Sequence, residues 1–131
     1  TPGTAMFFVG EAAHSNTKTD VAAIAYVLPA DYVAPTSVTV TVNCRYVLGA
    51  GTVGTHTLAA AAYLTADDGT QGANLISTSA QTVPAASGDV AFTIAGATLT
   101  PNARLLLVLT MVIQDTGGSD IFGHLNSVRI G

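Results

Sequence analysis

The chain has 131 residues, a length typical of one domain, and it carries four Lys or Arg against eight Asp or Glu. Charged residues make up 9%, where soluble domains average about a quarter, and hydrophobic residues make up 49%. This composition excludes intrinsic disorder, which needs low hydrophobicity and a high net charge. A formal net charge of −4 with four basic side chains also excludes nucleic-acid binding through the phosphate backbone.

No segment has the length of a membrane span. The longest apolar runs, Val21 to Leu28 and Leu58 to Leu64, are far shorter than the roughly 20 residues that cross a bilayer. We therefore predict no membrane partner. The single cysteine, Cys44, cannot form a disulfide within the chain, so the predicted fold does not depend on oxidation.

The first predicted element is a short strand from Ala5 to Val9, which contains the adjacent apolar residues Met6, Phe7 and Phe8. Two interpretations of residues 1–9 are open. They form the first strand of the chain's own sheet, or they form an arm that packs on a neighbouring molecule.

Two segments have patterns that suit either a helix or a strand. Asp20 to Leu28 has apolar residues at helical spacing and Pro29 as a stop, but its residues also alternate as a strand's do. Thr55 to Leu64 contains the run Ala59 to Ala62, which favours a helix in isolation. We predict strands for both, because neither segment has the charged face that a surface helix needs.

The clearest strand pattern runs from Val38 to Leu48, where apolar and polar residues alternate. This period of two is typical of a strand with one buried face. The predicted buried face consists of Val38, Val40, Val42, Cys44, Tyr46 and Leu48.

The second half of the chain contains four more predicted strands. Leu75 to Val83 and Asp89 to Ala95 are short, whereas Arg104 to Gln114 is apolar on both faces, which predicts a central strand or one at an interface. Ile121 to Ile130 alternates without interruption. Its predicted faces are Ile121, Gly123, Leu125, Ser127 and Arg129 on one side, and Phe122, His124, Asn126, Val128 and Ile130 on the other.

About eight strands separated by turn residues predict an all-β fold. We expect one antiparallel β-sandwich domain that spans residues 1–131.

The segment from Gly49 to Gly54 has the spacing Gly-x-Gly-x-x-Gly, which occurs in dinucleotide-binding folds. The surrounding pattern contradicts that reading, because the preceding strand has a polar face and no second strand follows at the required distance. We interpret the segment as a flexible hairpin loop and predict no cofactor.

The candidate metal ligands lack the spacing of a metal site. The three histidines, His14, His56 and His124, show no motif such as His-x-x-x-His. Acidic and amide residues near glycines also suit turns for reasons of backbone geometry. These residues are Asp67, Asp68, Asn74, Asp115 and Asp120. We predict turns there and no metal site.

No catalytic group stands out. Cys44 lies on the apolar face of its strand, which favours an inert thiol. The chain has no Gly-x-Ser-x-Gly motif, and its one glutamate, Glu11, has no acidic neighbour in sequence. We predict no catalytic residues and no enzymatic activity.

The second half of the chain resembles small β-sandwich virion proteins of tailed phages. The resemblance covers roughly residues 75–131 and rests on six segments. They are Gln81 to Pro84, Val90 to Ile94, Leu99 to Pro101, Leu105 to Ile113, Asp115 to Asp120, and Leu125 to Ile130. It implies a jelly-roll-like sandwich and a structural role, either as a capsid decoration or cement protein or as a module of a head or tail fibre.

The resemblance leads to a first functional hypothesis. The chain would be a homo-oligomer, with a trimer favoured, that binds the major capsid protein and stabilises the phage head. It would reside in the virion after assembly in the bacterial host cytoplasm. The residues expected at the interface are Met6, Phe7, Phe8, Phe122 and His124. The alternative is a fibre or adhesin module that binds host-surface carbohydrate or a receptor through loops such as Gly49 to Thr55 and Thr65 to Asn74.

Overall fold

The computed structural model describes residues 7–12, 17–48, 55–114 and 121–131. These residues form strands and connecting turns and no helix, and therefore no helix that could cross a membrane. The strands are β1 (Phe7–Ala12), β2 (Thr17–Val27), β3 (Val38–Leu48), β4 (Thr57–Leu64), β5 (Gln81–Thr82), β6 (Gly88–Ile94), β7 (Arg104–Gln114) and β8 (Ile121–Ile130).

The strands form two antiparallel sheets of four. The first sheet has the order β1-β8-β3-β6 and the second has the order β2-β7-β4-β5. Strands β1 to β4 alternate between the two sheets. β5 then joins the sheet of β4 at its edge, and β6 lies at the edge of the first sheet. β7 lies between β2 and β4, and β8 lies between β1 and β3. This is the strand order of a jelly roll, in which two Greek keys fold over one another. The predicted all-β antiparallel sandwich is confirmed.

The core lies between the inner faces of the two sheets. In β3 the predicted alternation is confirmed for Val38, Val40, Val42 and Cys44, which are buried. Tyr46 is half-buried, and the side chain of Leu48 lies outside the described part of the structure. In the second sheet, β7 lies between β2 and β4, so the predicted central position is confirmed. Its inward side chains are Leu105, Leu107, Leu109, Met111 and Ile113, all buried.

The two ambiguous segments are strands. Residues Thr17–Val27 and Thr57–Leu64 both pair with β7 along their full lengths, so the helical alternative is wrong for both. The isolated preference of an alanine run for helix is small, and pairing with a long apolar strand overrides it.

The predicted strand from Leu75 to Val83 is mostly wrong. Only Gln81–Thr82 is strand, and Ile76 makes an isolated bridge to Ile94. The chain before β5 follows the edge of β4 irregularly. There, the side-chain oxygen of Asn74 accepts hydrogen bonds from the backbone N–H groups of Ala62 and Ile76, both at 3.0 Å.

The uninterrupted alternation predicted for β8 is also wrong. Asn43 of β3 pairs with Ser127 while Cys44 pairs with Leu125, so β8 has one extra residue at Asn126. A bulge of this kind shifts the parity of every residue beyond it. Gly123 and Leu125 face the core before the bulge, as predicted on one face, but Val128 and Ile130 pack against the core after it.

The N-terminal region and the glycine-rich segment are only partly described. β1 pairs with β8 of the same chain, which supports the first-strand interpretation for Phe7–Ala12, and residues 1–6 lie outside the described residues. Residues 49–54 also lie outside them. The strands on either side, β3 and β4, belong to different sheets, so the hairpin interpretation of this segment is wrong.

Candidate functional site

The outer face of the second sheet is apolar across three strands. In register, Ala61, Val108 and Ala23 form one row across β4, β7 and β2, and neighbouring rows repeat the pattern. We call this surface the apolar face. It consists of Val21, Ala23, Ala25 and Val27 of β2, Leu106, Val108, Thr110 and Val112 of β7, and Ala59, Ala61 and Tyr63 of β4.

The outer face of the first sheet is largely polar near β6, where side chains of β3, β6 and β8 are joined by hydrogen bonds. The Asn43 amide donates to Asp89 at 2.7 Å, and the Asn126 amide donates to the side-chain oxygen of Asn43 at 2.9 Å. Arg129 forms an ion pair with the other oxygen of Asp89 at 2.7 Å. This face has the composition expected of a sheet surface in contact with water.

A cleft of about 220 Å³ lies at one end of the apolar face. Its residues come from β2, from β7 and from the chain that follows β4. They are Ala25, Tyr26, Val27, Thr65, Gln71, Arg104, Leu105 and Leu106. The exposed lining of the cleft is almost entirely apolar, and Arg104, Gln71 and Thr65 add a few polar groups to it, a combination typical of small-molecule sites.

One wall of the cleft is a hydrogen-bonded turn. Thr65 and Gln71 form a β-bridge, and within this loop the backbone N–H of Ala66 donates to Thr70 at 2.9 Å. Gly69 has a φ of 84°, a left-handed conformation that glycine adopts without strain. The backbone N–H of Thr70 donates to Asp68 at 2.9 Å and holds the pKa of that carboxyl below its ordinary value. The turn predicted around this glycine is confirmed.

The charges beside the cleft balance one another. The guanidinium of Arg104 forms an ion pair with Asp67, and both side chains are exposed. The backbone carbonyl of Arg104 accepts a hydrogen bond from Thr65 at 3.0 Å, which fixes the strand against the turn. A site with one paired cation and anion favours an uncharged polar ligand over a strongly anionic one.

His56 is buried under the second sheet's edge and is 2% exposed. Its Nδ1 accepts a hydrogen bond from the backbone N–H of Gln114 at 3.1 Å, and its ring lies 4.4 Å from the ring of Tyr46. Its Nε2 has no hydrogen-bond partner among the described residues. Burial lowers the pKa of His56, so this ring is held in the neutral form as part of the core.

Cys44 has the properties of a structural thiol. It is fully buried, and burial together with the charge of Asp89 raises its pKa to about 11. A nucleophilic cysteine needs a lowered pKa and access to substrate. The predicted inert thiol is confirmed.

The residues predicted for an interface lie on the first sheet or outside the described residues. Met6 is outside them, and Phe7 and Phe8 belong to β1, where they pair with Leu125 and His124. Phe122 and His124 are half-buried in β8. Burial, and then the charge of Arg45, lower the pKa of His124. No observation tests the interface role of these five residues, and it stays a prediction.

Residues considered as metal ligands serve other purposes where they are described. Asp68 and Asn74 bind backbone N–H groups of their own loop and of β4. Among the residues that the structure describes, no three His, Cys, Asp or Glu side chains lie close enough together to hold a metal ion. His14, Asp115 and Asp120 lie outside this part of the chain.

Sequence inspection missed the cleft because its residues come from three separated segments. Val27 and Arg104 are distant in sequence and become neighbours only through the pairing of β2 with β7. One signal was present. The loop from Thr65 to Asn74 was expected to take part in binding in the alternative hypothesis, and it supplies Thr65 and Gln71.

No protein-family model matches this chain, and no curated protein matches it. Solved structures do match. The C-terminal domain of EclA, a sugar-binding protein, aligns at 12% identity with a TM-score of 0.46, over 100% of this chain and 74% of that one. The CBM22-1 xylan-binding domain of Paenibacillus barcinonensis Xyn10C aligns at 12% identity with a TM-score of 0.41, over 99% and 95% of the two chains.

A viral structure also matches. A chain of infectious bursal disease virus, Gx strain, aligns at 14% identity with a TM-score of 0.37, over 95% of this chain and 30% of that one. At these identities and scores the likeness is one of β-sandwich architecture, and it says nothing about ligand or partner.

Proposed function

We propose that this chain is a non-catalytic module that binds a neutral saccharide in the cleft beside Arg104. The observation that carries the proposal is the combination of groups around that cleft. Val27 and Leu106 supply an apolar surface, while Arg104 and Gln71 supply hydrogen-bonding groups beside it. A sugar ring has an apolar C–H face and a rim of hydroxyl groups, so it needs both.

The hydrogen-bonding groups around the cleft match the needs of hydroxyls. A guanidinium has five N–H donors, of which one terminal nitrogen of Arg104 already bonds to Asp67. The carboxylate of Asp67 only accepts, and the Gln71 amide and the Thr65 hydroxyl both donate and accept. Each sugar hydroxyl is a donor and an acceptor, and the ion pair leaves the site without a net charge.

The size of the cleft sets the expected affinity. A volume of about 220 Å³ is below the roughly 300–1,000 Å³ of sites for drug-sized ligands, so it suits a single sugar ring. About twelve non-hydrogen atoms at roughly 0.3 kcal/mol each give about 4 kcal/mol, or a Kd on the order of 1 mM. Several copies on one particle or cell would raise the effective affinity through multivalency.

The test is binding of neutral oligosaccharides. A glycan array ranks ligands, and titration calorimetry with xylohexaose and the best array ligand measures affinity. We expect Arg104→Ala to weaken binding at least tenfold. Arg129→Ala is the matched control, because Arg129 is also an exposed, ion-paired arginine but lies on the first sheet.

Two results would count against saccharide binding in this cleft. One is the absence of binding to every neutral glycan at 10 mM ligand. The other is an equal loss of affinity in Arg104→Ala and Arg129→Ala, which would place the effect outside the cleft.

A second candidate function is a structural protein of a phage virion, which decorates the capsid. The jelly-roll strand order supports it, because viral capsid domains use this order, although lectin domains use it as well. Quantitative mass spectrometry of purified particles separates the two candidates. A copy number near that of the major capsid protein supports decoration, whereas a few copies per particle support a fibre module.

A further inference from the structure

The two outer faces of the sandwich differ in a way that solvent alone does not explain. On the first sheet many outward positions are polar, and Asn43 and Asp89 are joined by a hydrogen bond, although Val47 and Phe122 form an outward apolar pair on β3 and β8. On the second sheet, the corresponding positions of β7 are Leu106, Val108, Thr110 and Val112, of which only Thr110 is polar. An antiparallel sheet that faces water on one side normally alternates between apolar and polar residues.

The apolar face is built mainly of short side chains at its centre. Val108 lies between Ala23 and Ala61, and the adjacent row places Thr110 between Val21 and Ala59. Short side chains on both flanking strands leave no deep groove that would require a protruding partner. Val21 and Val27 at the margin of the sheet are 54% and 57% exposed in a single chain.

The absence of charge identifies the kind of partner. None of the eleven residues that define the apolar face is charged, and Arg104 lies only at its end. A charged partner would find nothing to complement, whereas a second copy of the same face meets no like charge. An interface with two-fold symmetry uses the same patch on both copies, so here one uncharged face would meet another.

The area of the face sets the strength of such a pair. Three strands about 4.8 Å apart over the seven residues from Val21 to Val27, or about 24 Å, give about 350 Å² per copy. Two copies would bury about 700 Å², which is well below the roughly 1,200 Å² of stable complexes. We therefore expect weak, reversible association with a Kd on the order of 100 µM.

We propose that two copies of this chain associate by packing their apolar faces against each other. The second sheets of the two copies would lie about 10 Å apart, the usual spacing of stacked sheets. This inference does not rest on the proposed saccharide binding, but Ala25, Val27 and Leu106 belong to both the cleft and the apolar face, so dimerisation and saccharide binding would compete there. The binding of xylohexaose to a monomeric variant is measured separately, so that failure of one proposal is distinguishable from failure of the other.

The experiment is sedimentation equilibrium of the full chain between 5 and 500 µM. We expect the mass to rise with concentration from 13.2 kDa towards twice that value. Val108→Glu places a charge at the centre of the apolar face and is expected to raise the dimer Kd at least tenfold. Thr41→Glu is the matched control, because Thr41 occupies a central outward position on the first sheet.

A second variant keeps the test decisive if Val108→Glu does not fold. Val108→Thr is nearly isosteric and should weaken association several-fold, with the fold checked by circular dichroism. The proposal is overturned if the wild type remains a 13.2 kDa monomer at 500 µM or forms a trimer. It is also overturned if a folded Val108 variant associates as strongly as the wild type.

Discussion

Asn74 takes the place of a missing strand at the edge of β4, and its removal is a direct test of the structure around the cleft. β5 pairs only with Thr57 and Leu58, so farther along β4 the backbone N–H of Ala62 has no strand partner on that side. The side-chain oxygen of Asn74 accepts from this N–H and from the N–H of Ile76, each at 3.0 Å. Asn74→Ala would leave both donors unpaired.

The expected cost follows from these two bonds. An unpaired buried donor costs about 1–3 kcal/mol, and both bonds are only partly buried, so water replaces part of each. We therefore expect Asn74→Ala to lower the free energy of unfolding by about 2 kcal/mol, and Tm by about 8 °C. Asn74→Asp keeps the oxygen acceptors and should retain most of the stability.

Urea unfolding followed by far-UV circular dichroism measures this effect at pH 7 and 0.15 M salt. The reasoning is refuted if Asn74→Ala lies within about 0.5 kcal/mol of the wild type, since orphaned donors cost more than that. It is also refuted if Asn74→Asp is as unstable as Asn74→Ala, because the side-chain oxygen would then not be the stabilising group.

Two further predictions concern the core. A Cβ added at Gly123 would lie 2.5 Å from the sulfur of Met111, so overpacking in Gly123→Ala should lower the free energy of unfolding by about 1–3 kcal/mol. In a double-mutant cycle, Gly123→Ala should cost less in a Met111→Val background. Additive costs of the two substitutions would contradict the contact. Burial lowers the pKa of His56, so the unfolded state binds more protons below the ordinary value near 6.5 and stability should fall as the pH drops. Between pH 7.5 and 5.5 the loss should approach at most about 1.4 kcal/mol for His56, with His124 acting in the same direction. His56→Asn keeps an acceptor for the backbone N–H of Gln114 but does not titrate, so its free energy of unfolding, measured in urea, should depend less on pH. An unchanged pH dependence would assign the effect to other groups.

The sequence determined which segments are strands wherever the alternation was strong. The pattern from Val38 to Leu48 gave both the strand and its buried face, because side chains on a strand point to opposite sides with a period of two. The apolar run from Arg104 to Gln114 likewise indicated a central strand or one at an interface, and β7 is central in its sheet. These features depend only on neighbouring residues, so one sequence contains them.

The tertiary structure decided the features that depend on pairing between distant segments. The bulge at Asn126 and the hydrogen bonds of Asn74 exist because β8 aligns with β3, and because β4 lacks a full partner. The cleft beside Arg104 and the apolar face appear only when β2, β7 and β4 lie side by side in one register. Local periodicity does not specify which strands pair, because that choice follows from how the whole set of apolar faces is buried together. The low charge of the chain was visible in the composition, but only the sheet order showed that apolar residues of β2, β7 and β4 lie together on the outer face of the second sheet.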